Sequence, residues 1–238
     1  MKQETENIIL DADDVYNMLD TILQPKTDDW WSQFYKKRKH QIPFMVDKPS
    51  ENLIAYVTNK NITGETALDI GCGNGRNTRF LSKNGFKTTG IDFSQESIKI
   101  ALELSKNSTA HFVHTPFEKF AAKSESFDFI YDAGCLHHIP PHRRPAYLKK
   151  IHSLLKTDGK YALEVFNEKG GSGLSDYDVY TERSMQGGLG YSEDKLKAIL
   201  APHFKIVNIR EMKNCVDETA YGLDTLWTVL VEKTSTPL

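Results

Sequence analysis

Apolar residues cluster in short runs along the chain, at Ala67 to Ile70, Lys87 to Ile91, His111 to Val113, Phe127 to Tyr131 and Tyr161 to Phe166. Runs this short, rich in β-branched and aromatic residues, predict strands. Between the first four, helical spacing recurs at Arg76 to Lys83 and Ser97 to Leu104, and again at Tyr147 to Leu155. Such alternation predicts a Rossmann-like, mostly parallel sheet with helices on both faces, and places ligands beyond the carboxyl ends of the strands. Lys205 to Ile209 and Thr225 to Val231 predict two further strands as a terminal hairpin-like pair, for seven in all. The first ~50 residues read differently, with Trp30, Trp31, Phe34 and Tyr35 followed by the basic stretch Lys36 to Lys39. We expect a helical extension over residues 1–50, broken at Pro43 and Pro49, and a main domain over 51–238 that opens with a helix from Glu51 to Asn59. There is no internal repeat and no low-complexity tract.

Composition narrows this picture. A chain of 238 residues with 39% hydrophobic and 26% charged positions fits one α/β core with an extension. A net charge of -2 gives no reason to expect polyanion binding. No apolar run approaches the ~20 residues needed to span a bilayer, and Met1 to Glu6 is polar, so a cytoplasmic protein without membrane contact is expected. The three cysteines, Cys72, Cys135 and Cys215, show no CxxC spacing, which points to neither disulfides nor zinc.

The segment Ala67-Leu-Asp-Ile-Gly-Cys-Gly-Asn-Gly-Arg76 is a strand running through close glycines into a helix. Glycines at 71, 73 and 75 can adopt positive φ and let a ligand approach the backbone. A dinucleotide fingerprint would need Gly at 76, where Arg stands, and Asp69 would repel a pyrophosphate. A cationic ligand suits that carboxylate, and S-adenosylmethionine carries a sulfonium and an ammonium. Asp92 ends the next strand roughly 20 residues on, where an acid can accept both ribose hydroxyls. In Val113-His-Thr-Pro-Phe117, Thr115 and the Pro116-Phe117 backbone could meet the adenine edge, with Phe117 and Phe93 as apolar walls. Against these stand plainer roles: a helix cap for Asp92, for which Ser94 is also available, and core packing for the two phenylalanines.

Together with Phe127-Asp128, Leu136-His-His-Ile139 and Leu154-Leu-Lys-Thr-Asp-Gly159, these segments resemble the ordered motifs of class I S-adenosylmethionine-dependent methyltransferases over roughly residues 65 to 167. The resemblance implies that Asp69, Gly71 and Gly73, with Cys72 between them, hold the methionine part, Asp92 the ribose, and Thr115, Pro116 and Phe117 the adenine. Thr115 departs from the family's usual Asp or Asn. The layout is similar to small-molecule, thiopurine-methyltransferase-like members, in which an N-terminal aromatic segment closes over the cofactor. Adjacent tryptophans diverge by ~100° on a helix, so Trp31, with Tyr35 one turn later, is the expected lid.

The loop Asp132-Ala-Gly-Cys-Leu-His-His138 should face the methyl group, with Asp132 on the cofactor side and His137 or His138 as a base for the acceptor. A purely structural His pair is the alternative. A metal site from His137, His138, His142 and His152 lacks a partner carboxylate at ligand spacing, so no metal is expected. Cys135 has no evident activator as a nucleophile. The glycine- and tyrosine-rich segment Asn167 to Tyr191 is expected to cover the acceptor pocket as a loop that opens and closes, offering Tyr177, Tyr180, Tyr191 and Arg183. The favoured activity is methyl transfer from S-adenosylmethionine, giving S-adenosylhomocysteine, to oxygen, sulfur or nitrogen of a small molecule. Alternatives are a nucleic-acid or protein methyltransferase, given Lys36 to Lys39 and Arg143-Arg144, and a catalytically silent cofactor-binding protein. Nucleic acid is not the expected partner, and the chain is expected as a monomer or homodimer.

Overall fold

The computed structural model describes residues 8–23, 31–33, 46–215 and 219–234. Seven strands form one sheet: β1 Thr66–Ile70, β2 Lys87–Asp92, β3 His111–His114, β4 Phe127–Ala133, β5 Leu155–Phe166, β6 Phe204–Glu211 and β7 Leu226–Lys233, in the order β3-β2-β1-β4-β5-β7-β6. The first five pair in parallel, whereas β7 runs antiparallel to both β5 and β6. The helices are α1 Ala12–Leu23, α2 Glu51–Thr58, α3 Arg76–Lys83, α4 Gln95–Leu104, α5 Arg144–Leu154, α6 Asp178–Thr181 and α7 Glu193–Leu200. Strand order reverses between β1 and β4, and a crevice opens beyond the carboxyl ends of strands at such a point.

Both faces of the sheet are covered. Leu68, Ile70, Ile130, Leu163 and Val165 pack with Leu148 and Ile151 of α5 on one side. Ala67, Phe129, Tyr131 and Ala162 pack with Leu53 and Tyr56 of α2 and Leu81 of α3 on the other. This double burial explains the near-continuous apolar strands. Helix starts follow local chemistry: Ser94 Oγ caps α4 by accepting from Ser97 N (3.3 Å), and Ser192 Oγ caps α7 by accepting from Lys195 N (3.3 Å).

Several expectations need adjustment. β5 begins at Leu155, well before Tyr161; Phe127 pairs with Leu155 and Phe129 with Lys160, so the strand carries an irregularity, with Asp158 at positive φ. Of the N-terminal segment, α1 and residues 31–33 are described; Trp30, Phe34, Tyr35, the Lys36 to Lys39 stretch and Pro43 lie outside the described residues. Residues 167–191 are no open loop. Bridges join Asn167 to Tyr191 and Ser172 to Leu189, and Val179, Leu189 and Tyr191 are fully buried. Arg144 of α5 reaches Asp176 in two hydrogen bonds (3.0 and 3.2 Å), and Lys195 of α7 pairs with the same carboxylate (3.1 Å). Hydrophobic anchoring and paired charge therefore fix this segment against α5 and α7.

Candidate active site

A cavity of about 960 Å³ lies over the carboxyl ends of β1, β2, β4 and β5. Its floor is the glycine turn. Gly71, Gly73 and Gly75 all have positive φ (64°, 55° and 80°), as a turn this sharp between β1 and α3 requires. They differ in surroundings. A Cβ on Gly71 would lie 2.2 Å from Cys135 Sγ, and one on Gly75 would lie 2.7 Å from the Phe112 ring. A Cβ on Gly73 would meet nothing within 4 Å, so this backbone faces open cavity.

Asp92, at the end of β2, is buried and lines the cavity. Its Oδ2 accepts from Gly73 N (2.9 Å) and its Oδ1 from Ser94 N (2.8 Å). Ser94 itself provides the α4 cap, so Asp92 braces the glycine turn instead of capping the helix. Asp69 lines the same wall but is only 1% exposed, with Thr78 Oγ1 donating to its Oδ2 (2.6 Å). Burial pushes its carboxyl up to about 7, despite the Thr78 bond and the nearby charge of Arg76. Cys72 also lines the cavity, and its thiol is pushed up by burial, then by Asp92 and Asp69.

Phe93, Thr115, Pro116 and Phe117 line the end of the cavity beyond β2 and β3. Thr115 N donates to Asp92 O (2.9 Å), which ties the two loops together. Phe117 is buried edge-on against Tyr147 (4.9 Å between centroids) and also lines the cavity. Trp31 also lines the cavity, edge-on to Phe93 (6.4 Å) and His138 (5.2 Å).

His137 and His138 both line the cavity, linked through their Nε2 atoms at 3.1 Å. Phe166 N donates to His137 Nδ1 (3.1 Å), and the His137 ring stacks on the Phe166 ring at 3.9 Å. A backbone N–H can only donate, so His137 Nδ1 is an acceptor and its single proton sits on Nε2. Nε2 therefore donates to His138 Nε2. Among the described residues no cluster of three or more His, Cys, Asp and Glu is arranged to hold a metal; His142 bonds Asp20 (2.9 Å) and His152 bonds Thr234 O (2.9 Å), away from the pair.

Other expected residues are placed elsewhere. Asp132 does not line the cavity: it is fully buried, with Oδ1 accepting from Cys135 N (2.7 Å) and Oδ2 from the hydroxyls of Tyr147 (2.8 Å) and Tyr161 (3.1 Å). It shapes the loop from beneath, and burial pushes its carboxyl up to about 6. Burial and then Asp132 push the Cys135 thiol well up, the opposite of the activation a nucleophile needs. Tyr177 is 86% exposed, Tyr191 is sealed under Arg144 and Lys195, and the Tyr180 hydroxyl bonds His142 Nδ1 (2.8 Å). None of these tyrosines, nor Arg183, lines the cavity.

In their place the cavity wall holds Arg76, Glu164, Phe166, Tyr221, Leu223 and Leu226. Glu164 is 2% exposed; Tyr131 donates its hydroxyl to Oε1, and burial pushes the carboxyl up against the opposing pull of Arg76. Only the fold brings the 221–226 segment here, through Glu51 N to Tyr221 O (2.8 Å) and Tyr221 N to Pro49 O (2.9 Å). Asp20 of α1 and Arg143 complete the rim, joined by Arg143 Nε to Asp20 Oδ2 at 3.0 Å.

Three buried acids around an approachable glycine backbone suit a compact cation joined to a nucleoside and oppose a pyrophosphate at the turn. The donor set thus fits S-adenosylmethionine. A methyltransferase-domain family matches residues 67–159. An uncharacterized methyltransferase of Schizosaccharomyces pombe is 31% identical over 106 residues, covering 44% of this chain and 73% of the relative. The chain belongs to the class I S-adenosylmethionine-dependent methyltransferases. It is an S-adenosylmethionine-dependent methyltransferase enzyme. A ubiquinone biosynthesis O-methyltransferase of Coxiella burnetii is 26% identical over 142 residues, covering 58% of this chain and 57% of that one. Among solved structures, the 1,6-didemethyltoxoflavin-N1-methyltransferase of Burkholderia thailandensis, with bound 1,6-didemethyltoxoflavin and S-adenosylhomocysteine, superposes with a TM-score of 0.66 at 21% identity. That match covers 96% of this chain and 93% of the other, and shows the shared fold. Among the described residues, no helix of the methyltransferase is long and apolar enough to cross a membrane.

Proposed function

We propose that the methyltransferase transfers the methyl group to an oxygen, sulfur or nitrogen atom of a small molecule, releasing S-adenosylhomocysteine. The observation that carries this reading is the cavity. At about 960 Å³ it stands at the top of the range for a single small ligand, roughly 300–1,000 Å³, and it continues past the glycine turn to the apolar side chains of Phe166, Leu223 and Leu226. That leaves room for a second small molecule beside the cofactor. The ubiquinone and toxoflavin relatives are named for small-molecule methylation, in keeping with this reading. Of the charges that would suit a nucleic acid, Arg143 pairs with Asp20 and Arg144 with Asp176, and Lys36 to Lys39 lie outside the described residues.

In this reading Asp92 accepts the ribose hydroxyls, the backbone of Gly71, Cys72 and Gly73 supports the methionine part, and Phe93, Thr115, Pro116 and Phe117 flank the adenine. Trp31 covers the reacting centre. The bound cofactor supplies a sulfonium-activated methyl group, and positioning of the acceptor supplies much of the rate. His137 is unsuited to the base role once expected of it, because Nδ1 already accepts a backbone N–H. Proton uptake at His138 Nε2 requires its contact with His137 to open. The pair, as arranged, orients the acceptor, which favours acceptor atoms that arrive unprotonated.

The test is calorimetry with S-adenosylmethionine and S-adenosylhomocysteine, with NAD as control, followed by a radiolabelled methyl-transfer screen against phenols, thiols, amines, RNA and protein. Transfer to a small molecule supports the proposal. Transfer confined to RNA or protein sinks it.

A further inference from the structure

An apolar cluster lies apart from the two that cover the faces of the sheet. Met212, Tyr221 and Leu226 form its centre, and Val46, Phe166 and Leu223 pack against it. Phe166, Tyr221, Leu223 and Leu226 also line the cavity, so the cluster is open on one side where a core would be closed. The opening lies at the far end of the cavity from Asp92, since Phe166 ends β5 and pairs with Leu226 of β7, and β1 and β4 stand between β5 and β2. Its walls are held in place. The Phe166 ring stacks on His137 at 3.9 Å, and a Cβ on Gly188 would lie 3.0 Å from that ring, so the 167–191 segment packs directly against it. Leu226 N donates to Leu223 O (3.1 Å) and Met212 N to Leu226 O (2.8 Å), which ties down the opposite wall.

Within this apolar opening stands a polar group with nothing to bond. Tyr221 is 7% exposed, and the Arg76 guanidinium lies 4.3 Å from the centre of its ring. Among the described residues the Tyr221 hydroxyl makes no hydrogen bond, yet it is not walled off by protein as the hydroxyls of Tyr56 and Tyr191 are. It therefore opens on the cavity that Tyr221 lines. Burial, and then the charge of Glu164, pushes the phenol up to about 12 against the pull of Arg76, so the hydroxyl keeps its proton at neutral pH and can donate it. A desolvated donor without an acceptor is costly unless a ligand completes it. Phe166, Leu223 and Leu226 around it offer nothing to the charged groups of the cofactor's methionine part, whereas they suit an uncharged ring. We propose that Phe166, Tyr221, Leu223 and Leu226 form the acceptor subsite, and that it takes an aromatic, largely apolar small molecule bearing an accepting oxygen, to which the Tyr221 hydroxyl donates. The proposal rests on the small-molecule reading above and names the class of acceptor within it. An acceptor seated here lies with Tyr221 on one side and the His137–His138 pair on the other, Phe166 being common to both.

The probes are acetophenone and its near-isostere ethylbenzene, which lacks the carbonyl oxygen, each titrated into the S-adenosylhomocysteine-loaded protein and followed by NMR. The variants are Tyr221→Phe, which removes the hydroxyl and breaks no hydrogen bond, and Leu223→Trp, which fills the opening. In Tyr221→Phe, acetophenone is expected to bind roughly three- to tenfold more weakly, the worth of one neutral hydrogen bond, while ethylbenzene binds as it does to the native chain. In Leu223→Trp both probes should weaken by about tenfold or more. S-adenosylhomocysteine affinity, measured by calorimetry, should stay within about twofold of native in both variants, which also shows that each has folded; should one variant fail to fold, the other decides. Unchanged acetophenone binding in Tyr221→Phe, equal loss of both probes there, or unchanged probe binding in Leu223→Trp overturns the subsite. So does a native loaded protein that binds neither probe. A tenfold loss of S-adenosylhomocysteine affinity in folded Tyr221→Phe overturns it as well, because it hands the hydroxyl to the cofactor. Methylation confined to RNA or protein, read in the separate transfer screen, overturns the small-molecule reading and the subsite with it, whereas failure of the probe contrast alone leaves that reading standing.

Discussion

Replacing Asp92 with Ala separates a braced turn from a ligand contact, and the structure sets the size of both effects. The carboxylate accepts from Gly73 N (2.9 Å) and Ser94 N (2.8 Å), so its removal leaves two buried N–H groups without their acceptor. That costs about 1–3 kcal/mol of stability per group at most, less where water enters the enlarged cavity. The binding effect is distinct. Hydrogen bonds to a charged group contribute about 1.5–3 kcal/mol each, and two ribose hydroxyls are proposed to use this one. At the lower figure, about 3 kcal/mol for the two, this predicts a weakening of S-adenosylhomocysteine binding by roughly 10²-fold, at 1.4 kcal/mol per factor of ten. Calorimetry well below the variant's melting temperature reads binding on folded protein, and urea unfolding reads the stability loss. Asp92→Asn should fall between, because its single carbonyl can serve only one of the two N–H groups while its amide opposes the other. Affinity within threefold of native for the alanine variant, measured on folded protein, would refute the ribose role and leave Asp92 as a brace only.

Gly73→Ala should fold with a loss of only about 1–2 kcal/mol from its positive φ, yet bind S-adenosylhomocysteine poorly, because the new methyl enters the cavity. Gly71→Ala, whose Cβ would strike Cys135 Sγ, should lose clearly more stability; equal thermal shifts would contradict this contrast. Asp128 of β4 accepts from the amino end of β1, and although burial pushes its pKa up, Lys156 and the Glu65 and Thr66 donors hold it well below the usual carboxylate range. Its contribution is therefore full above about pH 4 and disappears as pH falls toward the folded value, so Asp128→Asn should cost about 1–3 kcal/mol at pH 7 in urea unfolding and progressively less in acid. Asp69 has the opposite sign: with its carboxyl pushed up to about 7 by burial, stability should decline as pH rises from about 4 to 7, and Asp69→Asn should flatten that part of the profile.

Strand and helix alternation identified the five parallel strands because each is buried on both faces, and burial on both faces writes an apolar run directly into the chain. The same logic hid the start of β5. Lys156, Thr157 and Asp158 are polar and fall in the irregularity between the Phe127–Leu155 and Phe129–Lys160 pairs, so the strand resumes only where pairing with β4 and β7 does, which periodicity does not register. Residues 167–191 misread for a related reason. Their glycines and tyrosines look like those of a moving cover, but Gly171 and Gly190 lie where backbones pass too closely for side chains, and Tyr191 is held by Trp227 donating to its carbonyl (2.8 Å).

The site shows how far local spacing reaches. Gly71, Gly73 and Asp92 were visible because each stands at a strand end whose position the alternation already marks. Asp132 stands at such an end too, yet its side chain turns inward to two tyrosine hydroxyls 15 and 29 residues away, and nothing in its neighbourhood announces that. Arg76 had a signal that pointed elsewhere: it served to exclude a dinucleotide, whereas the structure places it in the cavity wall, its guanidinium over the Tyr221 ring. Only the assembled sheet brings Arg76 and Glu164 to one cavity, since Arg76 opens α3 after β1 and Glu164 belongs to β5, with β4 between those strands. A polar side chain at a strand end is therefore a reliable sign of the crevice's location, but its partners decide whether it faces ligand or core. In this methyltransferase those partners are the Tyr147 and Tyr161 hydroxyls for Asp132, which lies off the cavity, and the Gly73 and Ser94 N–H groups for Asp92, which leave it on the cavity wall.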